Sequence, residues 1–319
     1  MSTIFGPVPS RRLGRSLGID VIPAKTCSYD CVYCESGRTT HLSLQRKAFV
    51  PPEEVLKELE AYFAAHPGGA DVLTFSSAGE PTLYEPLEEL LRAIKRRFTS
   101  LPLVVLTNGS LLWDPKVRKA LASADRVAPT LDAVSPEIFQ RVNRPHPGLS
   151  LESILEGLGA FRREYGGRLH IEVVLVAGMN DQEEELRRIV RAIEKIHPDR
   201  IELNTVVRPP ADPDVEGLST ERMQAASRFF PSERTQVIGV FRPCSRAAGD
   251  PHLDGRILEM VRRRPCTEIE MAASLGVAPE DLDRVLAKLE RESRLARHIF
   301  RGQEYLCLKG QSDSTMPRH

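Results

Sequence analysis

The 319-residue sequence lacks the marks of a membrane protein or an extracellular disulfide scaffold. No stretch approaches the roughly 18 uninterrupted apolar residues of a spanning helix, and the opening MSTIFGPVPSRR has no apolar run of the secretory type. Neither sign of charge is in excess: 44 Lys and Arg balance 44 Asp and Glu, and residues 253–309 carry 11 basic against 10 acidic side chains. No overall field therefore announces a polyanion or a membrane surface as partner. A cytoplasmic location is the expectation, and in a reducing compartment the six cysteines are expected free, metal-bound or catalytic rather than disulfide-bonded. What remains is 41% apolar and 28% charged residues, enough for a sizeable core under a hydrated surface.

Three of the six cysteines fall within eight residues, Cys27-Ser28-Tyr29-Asp30-Cys31-Val32-Tyr33-Cys34, while Cys244, Cys266 and Cys307 stand alone. The spacing C-x3-C-x2-C offers one metal centre three thiolates and leaves it one ligand short. Structural zinc usually takes four protein ligands, often as two pairs, and no second pair follows. A fully ligated [4Fe-4S] cubane also takes four thiolates, so three would leave one iron open.

Apolar runs at 17–22, 71–76, 103–106, 126–131, 169–176 and 200–207 read as strands, with helices between them from 51 to 196. Six strand-then-helix units predict an α/β fold, a complete or partial (β/α) barrel of six parallel strands. Chemistry in such folds gathers where strands end, and the cysteine loop, Gly79-Glu80, Asn108, Asp132, Asn180 and Arg208 all fall there. Residues 209–219 read as a loop and 229–252 as irregular. Helices at 253–263, 267–274 and 279–292, then strands at 295–300 and 305–308 around Arg301-Gly302, have the outline of a winged helix-turn-helix. The expected organisation is a barrel over 1–240, a linker over 241–252, the winged unit over 253–309 and a disordered tail over 310–319.

With Tyr33 inside the triplet, the loop resembles the C-x3-C-x-aromatic-C hallmark of the radical S-adenosylmethionine (SAM) superfamily, and the resemblance reaches over roughly residues 5–240. It implies that Cys27, Cys31 and Cys34 ligate a [4Fe-4S] cluster whose open iron binds the amino and carboxylate groups of SAM. One electron, from a donor such as flavodoxin or ferredoxin, would then cleave SAM to methionine and a 5′-deoxyadenosyl radical. Ala78-Gly79-Glu80-Pro81 resembles the family's Gly-Gly-Glu segment, with Ala78 in place of the first glycine, which implies cofactor contacts at Gly79 and Glu80. Tyr33, Asn108, Thr130, Asp132 and Gly178 match further cofactor-binding positions; by themselves Asn108 and Asp132 read equally well as turn and cap residues.

Phe5 to Arg12 joined to Thr26 to Cys31 looks like a prokaryotic branch related to the enzyme that builds the tricyclic wyosine base in tRNA. That enzyme adds a second cysteine set, absent here, so its reaction is not expected to carry over. Arg11, Arg12, Arg15, Arg144 and Arg208 read either as solvated cations or as anchors for an anionic substrate group. The winged unit mixes Arg284, Lys288, Arg291, Arg294 and Arg297 with Glu280, Asp281, Asp283, Glu290 and Glu292, which places docking of a protein or peptide ahead of nucleic acid. Two functions follow: a radical SAM enzyme acting on an RNA, protein or small molecule, or a zinc-binding winged-helix transcriptional regulator.

Overall fold

A computed structural model of the chain describes residues 2–10, 13–238, 253–275, 277 and 279–309. Arg11, Arg12, Cys244, the expected linker 241–252 and the expected tail 310–319 lie outside the described residues.

The chain opens with β1 (Ile4–Ser10) and β2 (Gly14–Ile19), passes through the two-residue strands β3 (Thr26–Cys27) and β4 (His41–Leu42), and then alternates. In order come α1 (Pro52–Ala65), β5 (Val72–Phe75), α2 (Leu87–Arg97), β6 (Leu103–Thr107), α3 (Pro115–Leu121) and β7 (Arg126–Pro129). After them come α4 (Pro136–Val142), α5 (Leu151–Glu164), β8 (Arg168–Leu175), α6 (Glu183–Ile196), β9 (Arg200–Thr205), α7 (Thr220–Ser227) and β10 (Thr235–Val237). One sheet collects eight of these strands in the order β1-β2-β5-β6-β7-β8-β9-β10. Every pair from β2 to β10 is parallel, and only β1 is antiparallel. The fold is therefore α/β with a mostly parallel sheet.

The six expected strands are present, and the sheet adds two. β1 carries Pro7 and Pro9, tolerable because an edge strand leaves some N–H groups unpaired. β10 falls inside the stretch read as irregular; its three residues, Thr-Gln-Val, are too few and too exposed to set up a period.

The core lies between sheet and helices. Leu87, Leu90, Leu91 and Ile94 of α2, and Leu186, Ile189, Ile193 and Ile196 of α6, recur at helical spacing and are buried. Each fully buried side chain of this size contributes about 1.5–3 kcal/mol. Glu185 on α6 is buried as well, and its carboxylate accepts the N–H groups of Val134 (2.7 Å) and Ser135 (3.0 Å) at the start of α4. A carboxylate there complements the positive helix end, and it fixes the turn just after Asp132.

After the parallel strands come α8 (Leu253–Arg263), α9 (Glu268–Leu275), α10 (Pro279–Arg291) and the antiparallel hairpin of β11 (Leu295–Phe300) with β12 (Gln303–Leu308). This unit has its own core, including Ile257, Val261, Leu282, Leu286, Leu289 and Leu306, and Val8 of β1 packs against it. Among the described residues no helix is long and apolar enough to cross a membrane.

Candidate functional site

The cysteine loop is fastened to its surroundings by backbone hydrogen bonds. Asp30 N–H donates to Asn143 and Arg144 carbonyls, Val32 N–H to Val142, and His146 N–H to Ser28, each at 2.9–3.1 Å, so residues 28–32 run beside the connection that follows α4. Asp212 N–H reaches Val32 O at 2.9 Å from the segment after β9. At the root of the loop Thr26 O accepts Glu80 N–H at 3.1 Å. Gly79 is required by that approach: a Cβ there would stand 2.1 Å from Thr26 O.

Two buried carboxylates organise the strand ends around the loop. Glu80 Oε1 accepts Thr82 N–H (3.0 Å), Thr82 Oγ1 (2.6 Å) and Thr107 Oγ1 (2.5 Å), and Oε2 accepts Asn108 N–H (2.7 Å). Burial raises its pKa, and those four donors pull it back. Asn108 then turns its Nδ2 to Ser28 Oγ (2.8 Å) and Cys27 Sγ (3.5 Å). Asp132 Oδ1 accepts Val174 N–H (2.8 Å), while Oδ2 accepts Tyr33 Oη (2.5 Å) and Asn143 Nδ2 (2.7 Å). Burial lifts its pKa to about 6 against the lowering by these donors. Asn143 Nδ2 also stands 3.6 Å from Cys31 Sγ. Sequence reading identified Glu80, Asn108 and Asp132 and missed Asn143, which looks like any residue ending a helix.

Cys27, Cys31 and Cys34 are partly buried free thiols. Burial, then the Glu80 charge, pushes Cys27 up to about 12, and burial raises Cys31 and Cys34 too. Lys25 lies beside Cys34; burial lowers its pKa, the Cys34 charge offsets part of this, and its Nζ is buried with no hydrogen-bond partner among the described residues. Among those residues no three His, Cys, Asp or Glu side chains are gathered as a single metal ion requires.

Tyr33, Cys34, Glu35 and Ser36 form one wall of a cavity of about 350 Å³ on the inner face of the sheet. Alternate residues of successive strands line it, among them Ser16, Thr74, Leu106, Glu172 and Asn204, with Thr130 at the end of β7. Arg208, Arg263 and Arg264 close it, the last two supplied by the end of α8 and the residue after it. Arg208 is an internal tie: Nη1 holds Glu35 (2.8 Å) and Nη2 holds Glu270 of α9 (2.5 Å). Burial works against its charge, but the Glu35 and Glu270 carboxylates outweigh this and hold it above its ordinary value. Arg263 sits over the Phe5 ring at 4.0 Å and pairs with Asp20 at 3.5 Å.

Of the expected contact residues, Tyr33, Cys34 and Thr130 line the cavity, and Cys27, Cys31, Gly79, Glu80, Asn108 and Asp132 are not part of its lining. Gly178 is exposed, at φ +72, and donates its N–H to Asp181 Oδ1 at 2.9 Å. Ala177 and Val176 N–H groups are likewise taken, by Glu216 O and Asn180 Oδ1. Arg144 pairs with Asp212 (2.7 Å) and Arg15 with Asp71 (2.8 Å), so each serves a carboxylate of the chain. Cys266 and Cys307 are buried apart from the loop, Cys307 within β12.

The profile of the Radical SAM superfamily matches residues 21–190. A UPF0026 protein of Methanocaldococcus jannaschii is 32% identical over 96% of this chain and 95% of its own length. A protein of Brachyspira hyodysenteriae named GTPase Obg is 34% identical over 94% of this chain, which spans only 44% of that relative. Among solved structures, a radical SAM methyltransferase from Sphaerobacter thermophilus shares the fold at a TM-score of 0.52 and 19% identity, over 70% of this chain and 66% of that one. With a cysteine triplet on the rim of a parallel sheet and these matches, the chain belongs to the radical SAM superfamily of iron–sulfur enzymes, which work with SAM and a [4Fe-4S] cluster, and within it to the UPF0026 group.

Proposed function

We propose that Cys27, Cys31 and Cys34 hold the [4Fe-4S] cluster and that the cavity beside Tyr33 and Cys34 receives SAM and the substrate. The carrying observation is a three-cysteine loop fixed at the ends of parallel strands and adjoining a cavity with a mixed polar and apolar lining. The donor set suits the cluster. Asn108 and Asn143 direct N–H groups at two of the sulfurs, and the Lys25 ammonium, buried without a hydrogen-bond partner among the described residues, lies beside the third; both offset the negative charge of thiolates. When bound, the cluster supplies the electron that cleaves SAM to methionine and a 5′-deoxyadenosyl radical.

The chain's own part is to position and to shield. Gly79 and Glu80 seat the loop on β5 and β6, and Asp132 orients Tyr33. Tyr33 and Thr130 line the chamber, with Arg263 and Arg264 also on its wall. We read the sheet as a partial (β/α) barrel and residues 253–309 as a winged helix-turn-helix that docks on β1. The substrate class of RNA, protein or small molecule is open to experiment, and the reductant is a flavodoxin- or ferredoxin-type donor in the cytoplasm.

The zinc-regulator reading is disfavoured, because the family match spans the strands β5 to β8 as well as the cysteines. Anaerobic reconstitution with iron and sulfide, then dithionite and SAM, is expected to yield 5′-deoxyadenosine. Persistence of that product in Cys31→Ala at the wild-type rate would sink the assignment.

A further inference from the structure

Two unfavourable features meet at Lys25. Its backbone is left-handed, at φ +64, a conformation that crowds any residue bearing a Cβ. Three hydrogen bonds pin it there: its N–H donates to Ala78 O at 2.7 Å, and its carbonyl accepts Thr40 N–H at 3.1 Å and His41 N–H at 2.9 Å. Its ammonium is buried with no hydrogen-bond partner among the described residues. The head group lies against the turn that begins at Cys34, where Gly37 N–H donates to Cys34 O at 3.0 Å. Gly37 leaves the room for it, since a Cβ there would stand 3.1 Å from Lys25 Nζ. Lys25 is not part of the chamber lining, so its ammonium does not serve the substrate space. The charge that acts on it is that of the Cys34 thiolate. A backbone held against its preference and a cation held without a partner, at one residue, point to a use for the charge itself.

We propose that Lys25 is a fixed counter-charge on the Cys34 side of the cluster site, and that it raises the potential at which the cluster accepts its electron. Three thiolates outweigh the positive charge of an oxidised [4Fe-4S] core, and the electron from the flavodoxin- or ferredoxin-type donor adds to that excess. A cation alongside therefore favours the reduced form over the oxidised one. Burial is what gives a single ammonium this reach, because a charge in solvent would be screened. Asn108 and Asn143 direct N–H dipoles at Cys27 and Cys31, so Cys34 is the sulfur served by a whole charge. Lys25 acts through Cys34 and is in this sense a positioning residue, not a catalytic one. The inference rests on the three cysteines holding the cluster, and it adds what sets the potential of that cluster.

The test is a redox titration of the full-length protein reconstituted with iron and sulfide, followed by electron paramagnetic resonance, in wild type, Lys25→Met and Lys47→Met. Melting curves of the same proteins are recorded before reconstitution. Methionine keeps an unbranched apolar stem and removes the charge. Lys25→Met is expected to be at least tenfold harder to reduce, a midpoint about 59 mV lower for one electron. Lys47→Met removes an exposed cation of the same segment and is expected to keep the wild-type midpoint. Without the cluster, Lys25→Met is expected to melt at or above the wild-type temperature, because it relieves a buried cation. A residue that merely held the loop together would lower it. An unchanged midpoint, a variant that forms no cluster, or a lower melting temperature of its cluster-free form overturns the proposal. A wild type that takes up no iron would count against the cysteine assignment itself, which an unchanged midpoint on a formed cluster would not.

Discussion

Glu80 accepts four hydrogen bonds on a carboxylate that is 2% exposed, two from Thr82 in the turn that follows it and two from Thr107 and Asn108 at the end of β6. At this scale the site is a set of short ties, and Gly79 is the least replaceable of them. Gly79→Ala is expected to push the β5 turn off Thr26, lose about 1–3 kcal/mol as overpacked sites do, and lower iron incorporation; melting temperature and iron content check both. Asp132 predicts a pH signature. Its folded pKa of about 6 lies above the ordinary carboxylate value, so its contribution favours the fold below about pH 4 and is lost as pH rises through 6. In the cluster-free protein, wild type should therefore lose stability relative to Asp132→Asn by about 1–3 kcal/mol between pH 4.5 and 7, measured by denaturant titration. A difference independent of pH would contradict the burial argument. That the cysteine loop, Gly79, Glu80, Asn108 and Asp132 lie together was legible, because the apolar runs place each of them just after a strand. Asn143 and Lys25 were not, since their roles exist only through partners far along the chain or through burial.

Among the elements, α9 carries the contact that ties the two parts together. Thr267 and Glu270 form a reciprocal cap, Glu270 N–H to Thr267 Oγ1 at 3.1 Å and Thr267 N–H to Glu270 Oε2 at 3.2 Å, while Glu270 Oε1 holds Arg208. One side chain thus starts a helix and fastens it to β9's exit. Glu270→Ala removes the cap and the ion pair and is expected to cost about 3 kcal/mol, with Glu270→Gln near half of that because the cap survives. Amide exchange should accelerate through α9 in both variants and stay unchanged in β5 and β6; acceleration in those strands would contradict a local clamp. Strands such as β5 and β6 were readable from continuous apolar runs, as a sheet buried on both faces requires. β1, β10 and α7 were not read as elements, because two are edge strands and the third buries little beyond Met223 and Ala226.

For the whole molecule, the same kind of contact seats the C-terminal unit against the β1 edge of the sheet. Val8 packs into its core, Arg263 covers Phe5, and Tyr305 Oη donates to Val207 O at 2.7 Å. A chain ending at residue 238 is expected to melt at a lower temperature than the full chain and to self-associate through β1, as size-exclusion chromatography would report. An unchanged melting temperature and a monomeric profile would contradict this. The overall α/β alternation was legible in the sequence; the seating of the C-terminal unit on β1 was not, because it depends on ion pairs such as Arg208–Glu270 across 62 residues.

If three cysteines leave one iron of a [4Fe-4S] cluster for SAM, the electron paramagnetic resonance spectrum of the dithionite-reduced protein responds to SAM. Addition of SAM is expected to shift the g values of the cluster signal in wild type, with no such signal in Cys31→Ala. A reduced cluster whose spectrum is unchanged by saturating SAM would contradict the account.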